Sequence, residues 1–94
     1  MRKWVVLTNN LRGIYFGEMR EEPDSNGTVT LYSMRHCFSY VSAPHAKGTW
    51  GLAVAGPQEG SCIGPVLPSL TIRNVANYAE ASPEAVAAWR NAKW

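Results

Sequence analysis

The sequence predicts an all-β domain, a small curled sheet or barrel of about five strands followed by one C-terminal α-helix. Three observations predict it. Short runs of β-branched and aromatic residues recur between turn-forming residues. Glycines interrupt one of those runs, as a curling strand requires. A helix signature occurs once, at the end of the chain, where Ser82-Pro83-Glu84 opens an apolar stripe. At 94 residues the whole span 1–94 is one domain with one modest core.

The first strand, residues 2–8, is Arg-Lys-Trp-Val-Val-Leu-Thr, and Asn9-Asn10 supplies the turn after it. Residues 11–20 form the second. Ile14 and Phe16 alternate with Tyr15, Gly17 and Met19, and interior Gly13 and Gly17 mark a bulge or bend. A loop with Pro23, Asp24 and the turn pair Asn26-Gly27 leads to the third strand, 28–41, which opens on the alternation Thr-Val-Thr-Leu-Tyr and continues through a bend near Ser33-Met34. Residues 49–55 read as a short apolar strand and 69–78 as the last one. Between them, Gly56 to Pro68 is too rich in glycine and proline for a regular element and too apolar for a solvated linker, so it reads as an ordered, packed loop. The helix spans 83–92. Ser82 caps it, Pro83 suits its first position, Glu84 favours its positive end, and Arg90 and Lys93 favour its negative end. Ala85, Val86, Trp89 and Ala92 make the stripe that docks it, with Trp89 as anchor.

Composition narrows the function classes. Charged residues are 17% and aromatics 11%, with four Trp and four Tyr, which excludes disorder, collagen and coiled coil. No apolar run reaches the roughly 18 residues needed to cross a bilayer, so no membrane partner is expected. The net charge of +2 is too small to argue for nucleic acid by itself. Its distribution is uneven, however: Glu18, Glu21, Glu22 and Asp24 gather in one segment, and the rest of the chain is basic. The N-terminal apolar run, Trp4 to Leu7, is shorter than a signal-peptide core. A cytoplasmic protein with reduced, buried Cys37 and Cys62 follows. Those cysteines, with His36 and His45, match no zinc spacing, and no cofactor motif is present.

Catalytic patterns are missing. No nucleophile elbow surrounds Ser61, and no phosphate-cradling glycine motif occurs. His36 and Cys37 are adjacent on a strand and so point to opposite faces. The carboxylates cluster in a loop rather than in a pocket. A non-enzymatic role is therefore expected. Ligand binding has more support, because Arg12, Tyr15, Tyr32, Arg35, His36, Tyr40, Trp50 and Arg73 are planar groups near strand ends. Guanidinium forks hold phosphate and rings stack on bases. The expected site is Arg12, Arg35 and Arg73 for phosphate, with Tyr15, His36 or Trp50 for stacking. Each ring can equally be core or interface. Open sheet edges invite self-association, with Trp4 and Trp94 as interface anchors.

Two resemblances add to this. The bent strand Arg12-Gly13-Ile14-Tyr15-Phe16-Gly17, a loop, and Thr28-Val29-Thr30-Leu31-Tyr32 resemble the first motif of the Sm-like small barrels, and Ile72-Arg73-Asn74-Val75 loosely resembles their second. This implies an SH3- or Sm-like barrel and an RNA-binding ring. The Sm pocket's aspartate and asparagine have no counterpart here, and the helix is at the opposite end of the chain. The whole chain resembles a family of short tailed-phage proteins in its order of Trp4-Val5-Val6, Arg12 to Gly17, Arg35 to Cys37, Gly51 to Pro57, Ile63 to Pro65 and Ser82 to Trp89. That resemblance implies a phage protein acting in the host cytoplasm, where it would sequester a nucleotide-like defence signal. A protein-binding inhibitor or structural protein is the other alternative.

Overall fold

The computed structural model describes residues 2–93. Six strands and one helix follow in order: β1 Lys3–Asn9, β2 Ile14–Met19, β3 Val29–Ser39, β4 Cys62–Ile63, β5 Leu67–Ile72, β6 Val75–Glu80 and α1 Pro83–Asn91. All the pairings are antiparallel, in the order β4-β3-β2-β1-β6, with β5 also on β3. The prediction of a mostly β chain with a C-terminal helix holds, and the sheet is curled but not closed. β5 lies on β3 and β6 on β1, at opposite ends of the path, yet only Arg73 and Asn74 separate them. Two residues can bridge those ends only if the sheet curls round on itself.

Two predicted strands need correction. Residues 49–55 do not form a strand, because Thr49–Ala53 is a 3₁₀ helix. Gly48 enters it at φ 84°, and a Cβ on Gly51 would collide with the Ala46 carbonyl. A five-residue apolar run carries no period that separates the two outcomes. Residues 69–78 are two strands, broken where Asn74 adopts φ 57°, a left-handed conformation asparagine tolerates. Its carbonyl accepts from Asn10 N–H at 2.9 Å, and the next amide, Val75 N–H, donates to Gly27 O at 3.0 Å. The packed loop 56–68 contains the two-residue β4.

The curl gives the sheet two apolar faces. The inner face buries Val5, Leu7, Met19, Val29, Leu31, Met34 and Ile72. The outer face buries Val6, Phe16 and Cys37 beneath Leu52, Ile63, Ala85 and Trp89. β1 serves both by strict alternation. β3 serves both by changing parity midway: Val29 and Leu31 face inward, Ser33 takes φ 48°, and thereafter Met34 is the inward residue. Gly17 sits opposite this bulge, where a Cβ would be 2.8 Å from Met34 Cβ. Along α1, Ser82 Oγ accepts from Ala85 N–H at 3.1 Å as the N-cap, and Ala85 and Trp89 are buried.

The edges are short. Between Val75, whose amide is held by Gly27, and Ser82, whose amide donates to Ala53 O, only the middle of β6 is open. β5 carries Pro68, which cannot donate to a ladder. Trp94, the second expected interface anchor, lies outside the described residues.

Candidate functional site

The expected site residues do not converge. Arg35 is 7% exposed and faces the outer core. Its Nε donates to Gly64 O at 2.8 Å, and its Nη1 donates to Trp89 O at 2.8 Å and Ala92 O at 2.6 Å. The two Nη1 contacts satisfy carbonyls that the end of α1 leaves without partners, and the Nε contact ties in the loop after β4. Burial lowers the Arg35 pKa from its ordinary value. Arg35 is a structural clamp, not a free phosphate ligand. Trp50 is 40% exposed on the 3₁₀ helix, whose Leu52 and Ala53 pack on the outer face. Tyr15 packs on the inner face, so the two rings belong to opposite faces of the sheet.

Tyr15, His36 and Arg73 do share one end of the molecule. The Tyr15 and His36 rings stack at 4.8 Å and 17°, and His36 meets Phe38 at 4.5 Å. An open recess of about 460 Å³ beside them is lined by Leu11, Tyr15, Leu70 and Arg73. Arg12 stands exposed in the adjoining turn at φ 64°. The rings are already engaged, however. His36 covers one side of Tyr15, and Gly13 lies so close that a Cβ there would be 2.5 Å from Tyr15 Cε2. Of the other rings considered, Tyr32 lies under Arg20 at 3.9 Å, and Tyr40 Oη shares a hydrogen bond with Thr49 Oγ1 at 3.2 Å. The recess beside Tyr32 is lined by Glu21, Glu22 and Asp24 and repels anions.

A different place joins a ring to cations. A groove of about 730 Å³ runs between α1 and the strand pair β1–β6, lined by Arg2, Lys3, Trp4, Glu80, Val86 and Arg90 among others. Trp4 is half-buried, and its indole stacks on Phe16 at 5.2 Å and 9°. Phe16 stacks in turn on Trp89 at 5.1 Å and 3°. The Trp89 Nε1–H donates to Leu52 O at 2.9 Å, fixing the far end. Arg90 lies over the Trp4 ring at 5.3 Å. Arg2, Trp4 and Arg90 were missed as site residues because they come from opposite ends of the chain. Their meeting depends on the β1–β6 pairing, and the sequence offered only a Trp beside two cations at the N-terminus and an Arg after the helix anchor.

Cys37 carries no activated thiol. Both are free, Cys37 buried and Cys62 exposed, so the expectation of two buried thiols is corrected for Cys62. Burial, with a smaller contribution from Cys62, pushes the Cys37 thiol up to about 11. It is therefore protonated at neutral pH. Among the described residues, no group of three or more His, Cys, Asp or Glu is placed to hold a metal ion, and no helix is long and apolar enough to span a membrane.

A family model described as Domain of unknown function (DUF6948) matches residues 2–89. No curated protein and no solved structure matches the chain.

Proposed function

The chain belongs to the DUF6948 family of domains of unknown function, and we propose that it is a non-enzymatic module that binds a nucleotide-like anionic ligand. The observation that carries this reading is the Trp4 groove, where an indole held from behind by Phe16 meets Arg90, with Arg2 in the same lining; the Lys3 ammonium lies instead 5.9 Å over the Tyr78 ring, on the inner face. Because Arg90 already lies over the outward face of that indole, a ligand ring would stack on the guanidinium or displace it; a stacked base contributes about 1–3 kcal/mol, and guanidinium groups give directional bonds to phosphate oxygens. The groove, about 730 Å³, is open, so a ligand there would be held against one wall rather than enclosed. The residue order shared with short tailed-phage proteins supplies a context, sequestration of a host nucleotide signal in the cytoplasm. The Sm-like resemblance supplies the rival, an RNA-binding ring.

Calorimetry of the intact chain against cyclic and linear oligonucleotides and ADP-ribose-type compounds tests the proposal. Binding by at least one, weakened about tenfold or more in Trp4→Leu, is the expected result; a stack worth 1.4 kcal/mol or more implies that factor. A folded sample that gives no heat with any of them refutes it.

A further inference from the structure

We infer that the mouth of the curled sheet is a self-association face, on which two copies of this chain pack about a two-fold axis. This is independent of the Trp4 groove, because Trp4 packs on the outer face and the mouth continues the inner one.

Leu11 and Phe38 are the most exposed large apolar side chains among the described residues, at 79% and 63%. Both lie at this mouth. Strand alternation sends Cys37 into the outer core and its neighbours His36 and Phe38 to the inner side. The His36 ring stacks on Tyr15 across the β2–β3 pair and meets Phe38 two residues further along β3. Tyr15 in turn shares the open recess with Leu11, Leu70 and Arg73. The order across the face is therefore Phe38, His36, Tyr15, recess. A single exposed leucine is ordinary, whereas apolar exposure gathered on one face marks a contact surface.

The face is complementary to itself. Phe38 is a projecting ring that is already held in place. His36 backs it at 4.5 Å, and a Cβ on Gly64 would be 3.2 Å from its Cε2, so association has little left to order there. On the other side of the Tyr15–His36 pair is a hollow of about 460 Å³. A two-fold axis through that pair exchanges the two sides, and each Phe38 enters the recess of the other copy. Every contact is then made twice, as an isologous interface requires.

Charge fits the same occupant. Arg73 lines the recess and Arg12 stands exposed in the adjoining turn. Neither forms an ion pair with a described residue, and no carboxylate among the described residues lines the recess. A guanidinium is attracted to the face of a ring, and the arriving Phe38 supplies one. A strand of nucleic acid would instead need free ring faces to stack on, and Tyr15 and His36 cover each other.

Sedimentation equilibrium of the intact wild-type chain over a concentration series is the test. The average mass should rise toward that of two copies and stop there, because a two-fold interface is closed. Phe38→Glu should weaken the dimer about thirtyfold or more, equal to about 2 kcal/mol for an interface anchor. Leu11→Glu, at the recess, should weaken it as well; circular dichroism checks both variants, and should one fail to fold, the other carries the test. Arg73→Gln should weaken it about five- to thirtyfold, or about 1–2 kcal/mol over two cation–π contacts. Val54→Glu, at an exposed apolar position beside the 3₁₀ helix, should leave it unchanged. A wild-type chain that stays monomeric overturns the inference; if that monomer binds phosphatidylserine-containing vesicles and Phe38→Glu does not, the face belongs to a lipid surface instead. Association that the folded Phe38 and Leu11 variants leave intact, or growth beyond two copies, overturns it too. None of these outcomes bears on nucleotide binding at Trp4.

Discussion

Two arginines act on the last turn of α1, and they do opposite work. Arg35 reaches it from β3, within the outer core, and uses Nε and Nη1 on three carbonyls. Arg90 belongs to the turn itself and lies outward over Trp4. The same division runs along the aromatic stack Trp4–Phe16–Trp89. At one end Trp89 is fully buried and bonded to Leu52 O, whereas at the other Trp4 is half-buried in the wall of a groove. Burial separates the two roles. A guanidinium or indole inside the fold is consumed by carbonyls and neighbouring rings, whereas Arg90 and Trp4 engage each other at the surface.

The buried half of this comparison breaks hardest at Trp89. Trp89→Ala should cost about 3–5 kcal/mol by leaving a large cavity beneath the helix. Phe16 would lose a stacked neighbour and Leu52 O its donor. Urea denaturation measures the loss. A change below about 1 kcal/mol would mean that the helix is not held by this anchor.

Arg35→Met comes next. It removes the clamp and strands the Gly64, Trp89 and Ala92 carbonyls, an expected loss of about 3 kcal/mol. Amide exchange should quicken over residues 89–92 and around Gly64 before it quickens in β1 or β2. Uniform quickening through the whole chain would argue against a local clamp.

Legibility in the sequence follows the same line. The helix was readable to its cap because Ser82, Pro83 and Glu84 are local signals. β1, β2 and β3 were readable from alternation, Gly17 marked the bulge, and the bend expected near Ser33-Met34 falls where Ser33 takes φ 48°. The 3₁₀ helix at Thr49–Ala53 was misread because a short apolar run carries no period that separates helix from strand, and the close approach of Gly51 to the Ala46 carbonyl is visible only in three dimensions. The turn at Asn74 was missed because the requirement for it is global: two strands at opposite ends of the sheet path must be joined by two residues. The site suffered most. Arg35 resembled a ligand residue in type and position, and only its packing against the end of α1, 54 residues on at Trp89, shows otherwise.

A smaller effect is expected from Cys37, on the same outer face. Its thiol titrates at about 11 in the folded chain, against 9.0 ordinarily. Between these values the unfolded chain loses its proton first, so stability should be intact below pH 9 and fall as pH rises toward 11. The loss is at most about 2–3 kcal/mol at 1.36 kcal/mol per unit. Other groups titrate in that range, so the informative quantity is the difference in slope between wild type and Cys37→Ala. Equal slopes would show that the thiol is not desolvated by the core.

The smallest effect on stability should come from Arg90→Gln, and this variant most sharply separates the two arginines. Arg90 is exposed, and among the described residues it makes no ion pair. Its contact with Trp4 is a cation–π interaction at 5.3 Å, worth about 0.5–1 kcal/mol at an exposed site. Glutamine keeps the helix propensity nearly unchanged, so that contact is most of what is lost. Arg35→Gln, at the other side of the same turn, should cost about 3 kcal/mol. Paired denaturation curves for the two variants read the contrast directly. If Arg90→Gln proved as damaging as Arg35→Gln, the outward guanidinium would be part of the fold's support, and the proposed anion-binding reading of the groove would lose its main cation.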